Sequence, residues 1–268
     1  MNDDTLTWLF AWFDEYSEPY RRSGNSALAK TSELKVEHTL HVVDEMDRLT
    51  SALGLKDDER RLARVIALFH DVGRFEQFKR YNTLLDRVSV DHSVLGVEVL
   101  REHNVLRNLP QDRVELIESS ILAHNKLHIP GEYLGDRLRF AKMIRDADKL
   151  DILRVFIDVD KNNDEEMLQK AYIELNNSDT VNEAIEDHFD RRELVLIEKL
   201  RSRHDMRLMM LSWVFDLNFA HSLRRFRDRG DAEYLMFQLP EVPMVRRVRH
   251  IVQEVVTDPD RALAERAA

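Results

Sequence analysis

The chain has 268 residues, of which 43% are hydrophobic and 34% are charged, and its formal net charge is −10 at pH 7. Because nucleic-acid phosphates and anionic membranes repel such a surface, the charge argues against extended nucleic acid and membranes as partners. The chain contains no cysteine, which excludes disulfides, thiolate metal sites and cysteine nucleophiles.

Two further features of the composition predict the location and the fold class. The first residues are acidic and lack the basic segment of a signal peptide, and no apolar run approaches the roughly 20 residues that cross a bilayer. We therefore expect a cytoplasmic protein; its oligomeric state is not indicated by the sequence. Seven glycines and six prolines are few for an architecture of strands and tight turns, so the composition predicts an all-α fold.

Amphipathic helices are predicted along the first half of the chain, because apolar residues recur with the helical period of about 3.6 residues. The first covers 32–53, with Ser32 as its N-cap and Gly54 after its end. The second opens at Asp57 and closes at Gly73. Further helices are predicted to begin near Asp91, Pro110 and Gly135.

The remaining segments are less regular. Residues 78–90 are predicted to form a loop over the nearby site, and the polar residues 158–180 a turn or boundary. One long helical stretch is predicted from Val181 to about Phe226, and frayed structure after Pro259. The expected domains are a metal-binding helical domain over 1–157, including an N-terminal helix, and a helical extension over 158–268 that packs on it.

Four predicted helices place a histidine or an aspartate on an otherwise apolar face. His70 lies four residues after Ile66 and is followed by Asp71; the other such residues are His38, His124 and Asp148. An ionised aspartate on a buried face is costly unless a cation or several donors satisfy it. A shared metal centre would account for all of these residues together.

Imidazole and carboxylate ligands favour Mn, Fe, Co, Ni or Zn, with Mg less suited. We therefore expect one or two divalent transition-metal ions. Two ions joined by a carboxylate can bind one phosphate oxygen each and hold a hydroxide between them. Asp71 is the candidate for the bridging carboxylate, because its neighbour His70 also reaches the centre.

The ordered set His38, His70-Asp71 and Asp148 resembles the H…HD…D signature of the HD superfamily of metal-dependent phosphohydrolases. These residues lie in the strings KVEHTLHVV, ARVIALFHDVGRF and IRDADKLD. His92 in DHSVLGVEVL and His124 in ILAHNK resemble the extra histidines of the two-metal branch. The resemblance covers about residues 30–155.

The resemblance implies an HD-domain helical bundle with a C-terminal helical extension. It implies that one metal is held by His38, His70, Asp71 and Asp148, and a second by Asp71, His92 and His124. The implied activity is hydrolysis of a phosphate ester or anhydride of a small nucleotide by a metal-activated hydroxide. Two positions depart from the family pattern: Asn125 stands where many relatives have a second histidine, and Arg74 where the motif often continues to lysine.

Basic residues near the predicted ligands are candidates for binding the substrate. Arg74, Lys126 and Lys149 are predicted to bind phosphate, because each lies within a few residues of a ligand. Asp71, Arg74 and Lys149 are the predicted catalytic residues. Arg145 is interpreted as an ordinary solvated cation, and Asp151 as a structural or outer-sphere residue.

Two other interpretations of the sequence remain open. HD-fold di-iron oxygenases have a similar set of six ligands, and a catalytically silent nucleotide-binding regulatory module would keep the fold without turnover. A second His-Asp doublet, His204-Asp205, lies in the charged stretch RSRHDMRL and is interpreted as a solvated face.

Overall fold

The computed structural model describes residues 1–162 and 180–267. Within these ranges the chain is helical and has no β-strand, which confirms the all-α prediction. No helix in this part of the chain is long and apolar enough to cross a bilayer. The chain divides into two compact units, Met1–Asp151 and Ile152–Ala268. The predicted division into 1–157 and 158–268, with the second part packed on the first, stays a prediction.

The first unit is built from six helices and the beginning of a seventh, which continues into the second unit. These helices are α1 (Asp3–Arg21), α2 (Ser26–Ala52), α3 (Asp57–Phe69), α4 (Gly73–Tyr81), α5 (His92–Glu102), α6 (Gln111–His124) and α7 (Gly135–Lys161). α3 packs against both α2 and α6, and α4 packs against α5. The six predicted ligands therefore lie on helices that are neighbours in the bundle or adjoin their ends.

Local sequence signals explain where these helices begin. Acidic residues occupy the first turn of α3, where they oppose the positive end of the helix dipole, and its predicted start at Asp57 is confirmed. Asp91 caps α5 as predicted, because its side chain accepts the backbone N–H of Ser93 at 3.0 Å. The predicted cap at Ser32 is wrong. The true cap is Asn25, whose side chain accepts the N–H groups of the first turn, so Ser32 lies inside α2.

Gly73 begins α4 and does not close the preceding helix as predicted. α3 ends at Phe69, and His70, Asp71 and Val72 make a tight turn before the chain becomes helical again. A Cβ atom at Gly73 would lie 2.2 Å from the carbonyl oxygen of His92 and 2.6 Å from the nitrogen of Gly96. A side chain is therefore excluded where α4 approaches α5.

The predicted loop over 78–90 is partly confirmed. α4 continues to Tyr81, and the loop covers 82–91 with a short 3-10 turn at Asp86–Val88. The loop leads directly into His92 at the start of α5. The predicted turn or boundary over 158–180 lies mostly outside the described residues, because 163–179 are not part of them.

The second unit contains shorter helices than the sequence predicts. They are α8 (Glu186–Asp190), α9 (Arg203–Ser212), α10 (Ala220–Asp228), α11 (Asp231–Phe237), α12 (Pro243–Thr257) and α13 (Pro259–Ala267). The prediction of one long helical stretch over 181–226 is wrong, because Ser202 and Asp205 form a capping box that starts a new helix. The end of the chain is helical, and Arg266 donates hydrogen bonds to backbone carbonyls that include that of Phe215 at 2.9 Å.

The second His-Asp doublet has a structural function. Asp205 is 1% exposed, and its carboxylate accepts the backbone N–H groups of Asn182, Arg201 and Ser202 at 2.8–3.1 Å. The interpretation of this stretch as a solvated face is therefore wrong for Asp205. The local sequence does not show that this capping residue is buried, because its partner Asn182 lies 23 residues away.

We predict that Gly73→Ala destabilises the protein, because the added methyl group overlaps the backbone of α5. Overpacking of this kind costs about 1–3 kcal/mol in free energy of unfolding. Urea unfolding measures the loss. Gly131→Ala is the control, since nothing lies within 4 Å of a Cβ atom there. Equal stability of the two variants would contradict the close approach of α4 to α5.

Candidate metal centre

The structure brings all six predicted metal ligands together in the first unit. Five of them are buried, and the side chain of Asp148 is 14% exposed. His70 and Asp71 follow α3, His92 is the first residue of α5, and His124 is the last residue of α6. His38 lies within α2 and Asp148 within α7. Residues from five helices or their ends therefore meet at one place.

The four histidines share one orientation: each Nδ1 contacts an acceptor outside the centre. The four contacts are His38 to Asp151 Oδ2 at 2.7 Å, His70 to the Ala67 carbonyl at 2.7 Å, His92 to Asp86 Oδ2 at 2.7 Å and His124 to the Ile121 carbonyl at 2.6 Å. Because carbonyl and carboxylate oxygens accept, each Nδ1 carries a proton and donates it. Each Nε2 is thereby left to face the centre, as is usual for histidine ligands of metals.

The inward-facing atoms can be divided into two groups that share Asp71, and ligand atoms of His70, His124 and Asp148 also lie within 4.8 Å of one another. In the first group His38 Nε2 lies 3.1 Å from Asp148 Oδ1 and 3.5 Å from Asp71 Oδ2. His70 Nε2 lies 3.6 Å and 3.7 Å from the same two oxygens. In the second group Asp71 Oδ1 lies 3.2 Å from His92 Nε2 and 3.8 Å from His124 Nε2. Asp71 thus contributes one oxygen to each group, which is the arrangement of a carboxylate that bridges two ions.

The spacing of the imidazole nitrogens fits bound cations. His92 Nε2 and His124 Nε2 are 3.0 Å apart, and the Nε2 atoms of His38 and His70 are 3.3 Å apart. Two imidazoles so close need a shared proton or a cation between their nitrogens. Metal–nitrogen bonds of about 2.0–2.1 Å in tetrahedral geometry place ligand nitrogens about 3.3 Å apart. The donor set present therefore suits a divalent transition metal.

Charges around the centre keep its carboxylates ionised. Burial alone would raise the pKa of Asp71, but Lys35 and the surrounding histidines hold it well below its usual range. Burial is likewise outweighed at Asp148, whose pKa is lowered well below the usual value by contacts with His38 and His70. Both aspartates can therefore act as anionic ligands.

Two of the histidines differ in how readily they accept a second proton. Burial, with the nearby His92 and His70, lowers the pKa of His124 to about 4, against a smaller opposing effect of Asp71. His124 is thus neutral near pH 7 and ready to coordinate. Burial and Lys35 act to lower the pKa of His38, but its contacts with Asp148 and Asp151 outweigh them and raise it. A metal at this position would therefore compete with a proton for the Nε2 of His38.

The predicted phosphate-binding cations lie at different distances from the centre. Arg74 Nε lies 3.4 Å from Asp71 Oδ1, while its Nη1 donates to Asp86 Oδ1 at 2.9 Å. Lys126 pairs with Asp91, outside the six ligands. Lys149 follows Asp148 on α7. The catalytic and phosphate-binding functions of these residues stay predictions.

Sequence reasoning missed two residues that contact the ligands. One is Lys35, whose Nζ donates to Asp71 Oδ2 at 2.7 Å. Lys35 lies three residues before His38 on the same helix, and this spacing could have indicated that the two side chains share a face. The other is Asp86, which accepts a hydrogen bond from His92. It lies in a loop, where the sequence has no periodicity from which the direction of a side chain could be predicted. Asp151, expected to be structural or outer-sphere, does contact His38 Nδ1.

Arg145 is buried, so its interpretation as a solvated cation is wrong. Its guanidinium donates to backbone carbonyls at the end of α6, including those of His124 and Leu127 at 3.4 Å and 3.3 Å. These carbonyls lack partners within the helix, and the arginine satisfies them. Arg145 thereby fixes the end of the helix that carries His124.

Residues 36–153 match the family model of the HD domain. This part of the chain, 118 of the 268 residues, is similar to the HD domain. The matched range contains all six candidate ligands, and it confirms the resemblance that the motifs indicate. Families with this domain bind divalent metals and belong to the superfamily of metal-dependent phosphohydrolases. No curated protein and no solved structure matches the chain.

We predict that Mn²⁺ stabilises the metal-free protein, because the ion would bind the folded centre and not the unfolded chain. At a hundredfold excess over its Kd, one ion adds about 2.7 kcal/mol to the free energy of unfolding. Urea unfolding with and without Mn²⁺ measures this gain. The gain should be smaller in His38→Ala, which removes a ligand from one of the two groups, and unchanged in His204→Ala. Stabilisation of equal size in both variants would place the bound ion elsewhere.

Proposed function

We propose that this protein is a metal-dependent phosphohydrolase that cleaves a phosphate ester or anhydride. The observation that carries the proposal is Asp71, whose two oxygens each belong to a separate group of imidazoles. A bridged pair of cations suits the binding of a phosphate group, which offers several oxygens to them. Small nucleotides are the proposed substrate class on the family resemblance alone.

The proposed ligands divide into a set of four and a set of three. His38, His70, Asp71 and Asp148 would hold one ion, and Asp71, His92 and His124 would hold the other. When bound, divalent ions supply Lewis acidity towards phosphoryl oxygens and towards water. The set of three leaves more of the coordination sphere open, as in catalytic sites with three protein ligands.

We propose that cationic side chains of the protein bind the phosphate group of the substrate. Lys35 contacts a ligand of the centre directly and its side chain is 16% exposed, so its ammonium is placed to orient a phosphoryl group and offset its charge. Arg74 also adjoins Asp71, though its Nη1 is engaged by Asp86. We propose Lys35 as a substrate-binding residue together with Arg74, Lys126 and Lys149.

Asp71→Ala should abolish phosphate release and remove most of the bound metal, because the bridging carboxylate is lost from both positions. The measurement is a phosphate-release screen over nucleotides and simple phosphate esters with Mn²⁺, together with elemental analysis. The control is His204→Ala, which alters the other His-Asp doublet and should keep full activity. Normal turnover by Asp71→Ala would refute the assignment.

Lys35→Gln should lower kcat/KM for phosphate release by about 10- to 150-fold, since a hydrogen bond from a charged donor contributes about 1.5–3 kcal/mol. Lys79→Gln is the matched control: Lys79 is half-exposed and pairs with Glu76 at 3.1 Å, away from the ligands. Steady-state kinetics of both variants on the best substrate measures the effect. A loss of similar size in the two variants would contradict a substrate contact by Lys35.

The alternative activities give different outcomes in the same experiments. A di-iron oxygenase would retain iron through purification and consume oxygen with its substrate, without releasing phosphate. A regulatory module would bind a nucleotide without metal-dependent phosphate release. Oxygen uptake and nucleotide binding, measured beside phosphate release, therefore distinguish the three.

A further inference from the structure

Asp86, in the loop between α4 and α5, accepts hydrogen bonds from four side chains. Its Oδ1 accepts from Arg74 Nη1 at 2.9 Å and Gln77 Nε2 at 2.8 Å. Its Oδ2 accepts from His92 Nδ1 at 2.7 Å and Asn125 Nδ2 at 3.1 Å. One carboxylate thus joins α4, the first residue of α5 and the residue after α6.

These contacts belong to a ring of interactions that joins Asp71, Arg74, Asp86 and His92 beside the second group of ligands. Asp71 Oδ1 lies 3.4 Å from Arg74 Nε, and Arg74 reaches Asp86. Asp86 in turn holds His92, whose Nε2 returns to Asp71 Oδ1 at 3.2 Å. Removal of the Asp86 charge would therefore weaken the orientation of the His92 imidazole and remove one contact of the Arg74 guanidinium, which also donates to Gln77 Oε1 at 2.7 Å.

The first group of ligands is supported differently. His70 donates to a carbonyl of its own helix, and His38 donates to Asp151, which is 1% exposed on α7. Asp86 instead belongs to a loop, and its side chain is 31% exposed. Gln77 on α4, which is fully buried, anchors this loop. Its Nε2 donates to Ser89 Oγ and to the Val90 carbonyl, each at 2.9 Å.

We infer that Asp86 is a positioning residue for the second metal position, and that metal binding there is coupled to closure of the 82–91 loop. The inference rests on the proposed two-metal centre. Coupling of this kind is reciprocal: an ordered loop favours the second ion, and the second ion orders the loop. His38 at the first position is held by Asp151 on α7 and not by the loop, so we expect the affinity of the first ion to depend little on the loop.

The test is a comparison of Asp86→Asn with Asp151→Asn, two changes of the same kind on the outer partners of His92 and His38. Equilibrium dialysis against Mn²⁺ and elemental analysis give the number and affinity of bound ions. Loss of an outer partner of a ligand lowers metal affinity by about 10- to 100-fold. We expect Asp86→Asn to weaken the second ion by this factor and leave the first within about threefold, and Asp151→Asn to weaken the first.

Amide hydrogen exchange of residues 82–91 provides a readout that does not depend on activity. In the unaltered protein, exchange in this loop should slow as the second ion binds, and not as the first binds. In Asp86→Asn the loop should exchange faster at every Mn²⁺ concentration that leaves the second position empty.

The outcomes separate this inference from the proposed centre. Fewer than two ions on the unaltered protein would overturn the two-metal centre and this inference with it. This inference alone would be overturned if Asp86→Asn lowered the affinity for both ions equally. It would also be overturned if amide exchange in the loop did not change when the second ion binds.

Discussion

The carboxylate of Asp71 is ionised inside a helical core, where an unpaired charge would cost several kcal/mol. Lys35 Nζ and Arg74 Nε each lie beside one of its oxygens, and the four imidazoles of the two ligand groups lie within 4 Å of them. The surrounding helices are arranged so that donors converge on this group. The position of the centre, and the number of ions it suits, follow from the two oxygens of one side chain.

Orientation of the ligands comes from groups that do not face the centre. Each Nδ1 is fixed by an oxygen, so each imidazole has one tautomer and presents Nε2 inward. For His70 and His124 that oxygen belongs to the preceding turn of the same helix, whereas for His38 and His92 it is a carboxylate from elsewhere. His70 and His124 are thus oriented by local structure, and His38 and His92 by tertiary contacts.

The close approach of α4 and α5 links packing to the site. Gly73 has no side chain, and this allows its backbone to meet that of His92 and Gly96. His92 is thereby held against the turn that carries His70 and Asp71. A glycine first interpreted as a helix end therefore allows the candidate ligand His92 to lie close to Asp71, the candidate bridging carboxylate.

The sequence by itself determined the all-α class, the helix starts at Asp57 and Asp91, and the six residues that meet at the centre. The fold class, the helix starts and five of these residues depend on helical periodicity and on the cost of burying charge, which are visible at short range, whereas His92 was identified by the family resemblance. The capping box of Ser202 and Asp205 that divides 181–226 is also a local signal. Tertiary structure alone decided that Asp86 and Asp151 orient His92 and His38, and that Asp205 is buried against Asn182. Such features depend on partners at distant positions, and local sequence carries no record of which partner the folded chain supplies.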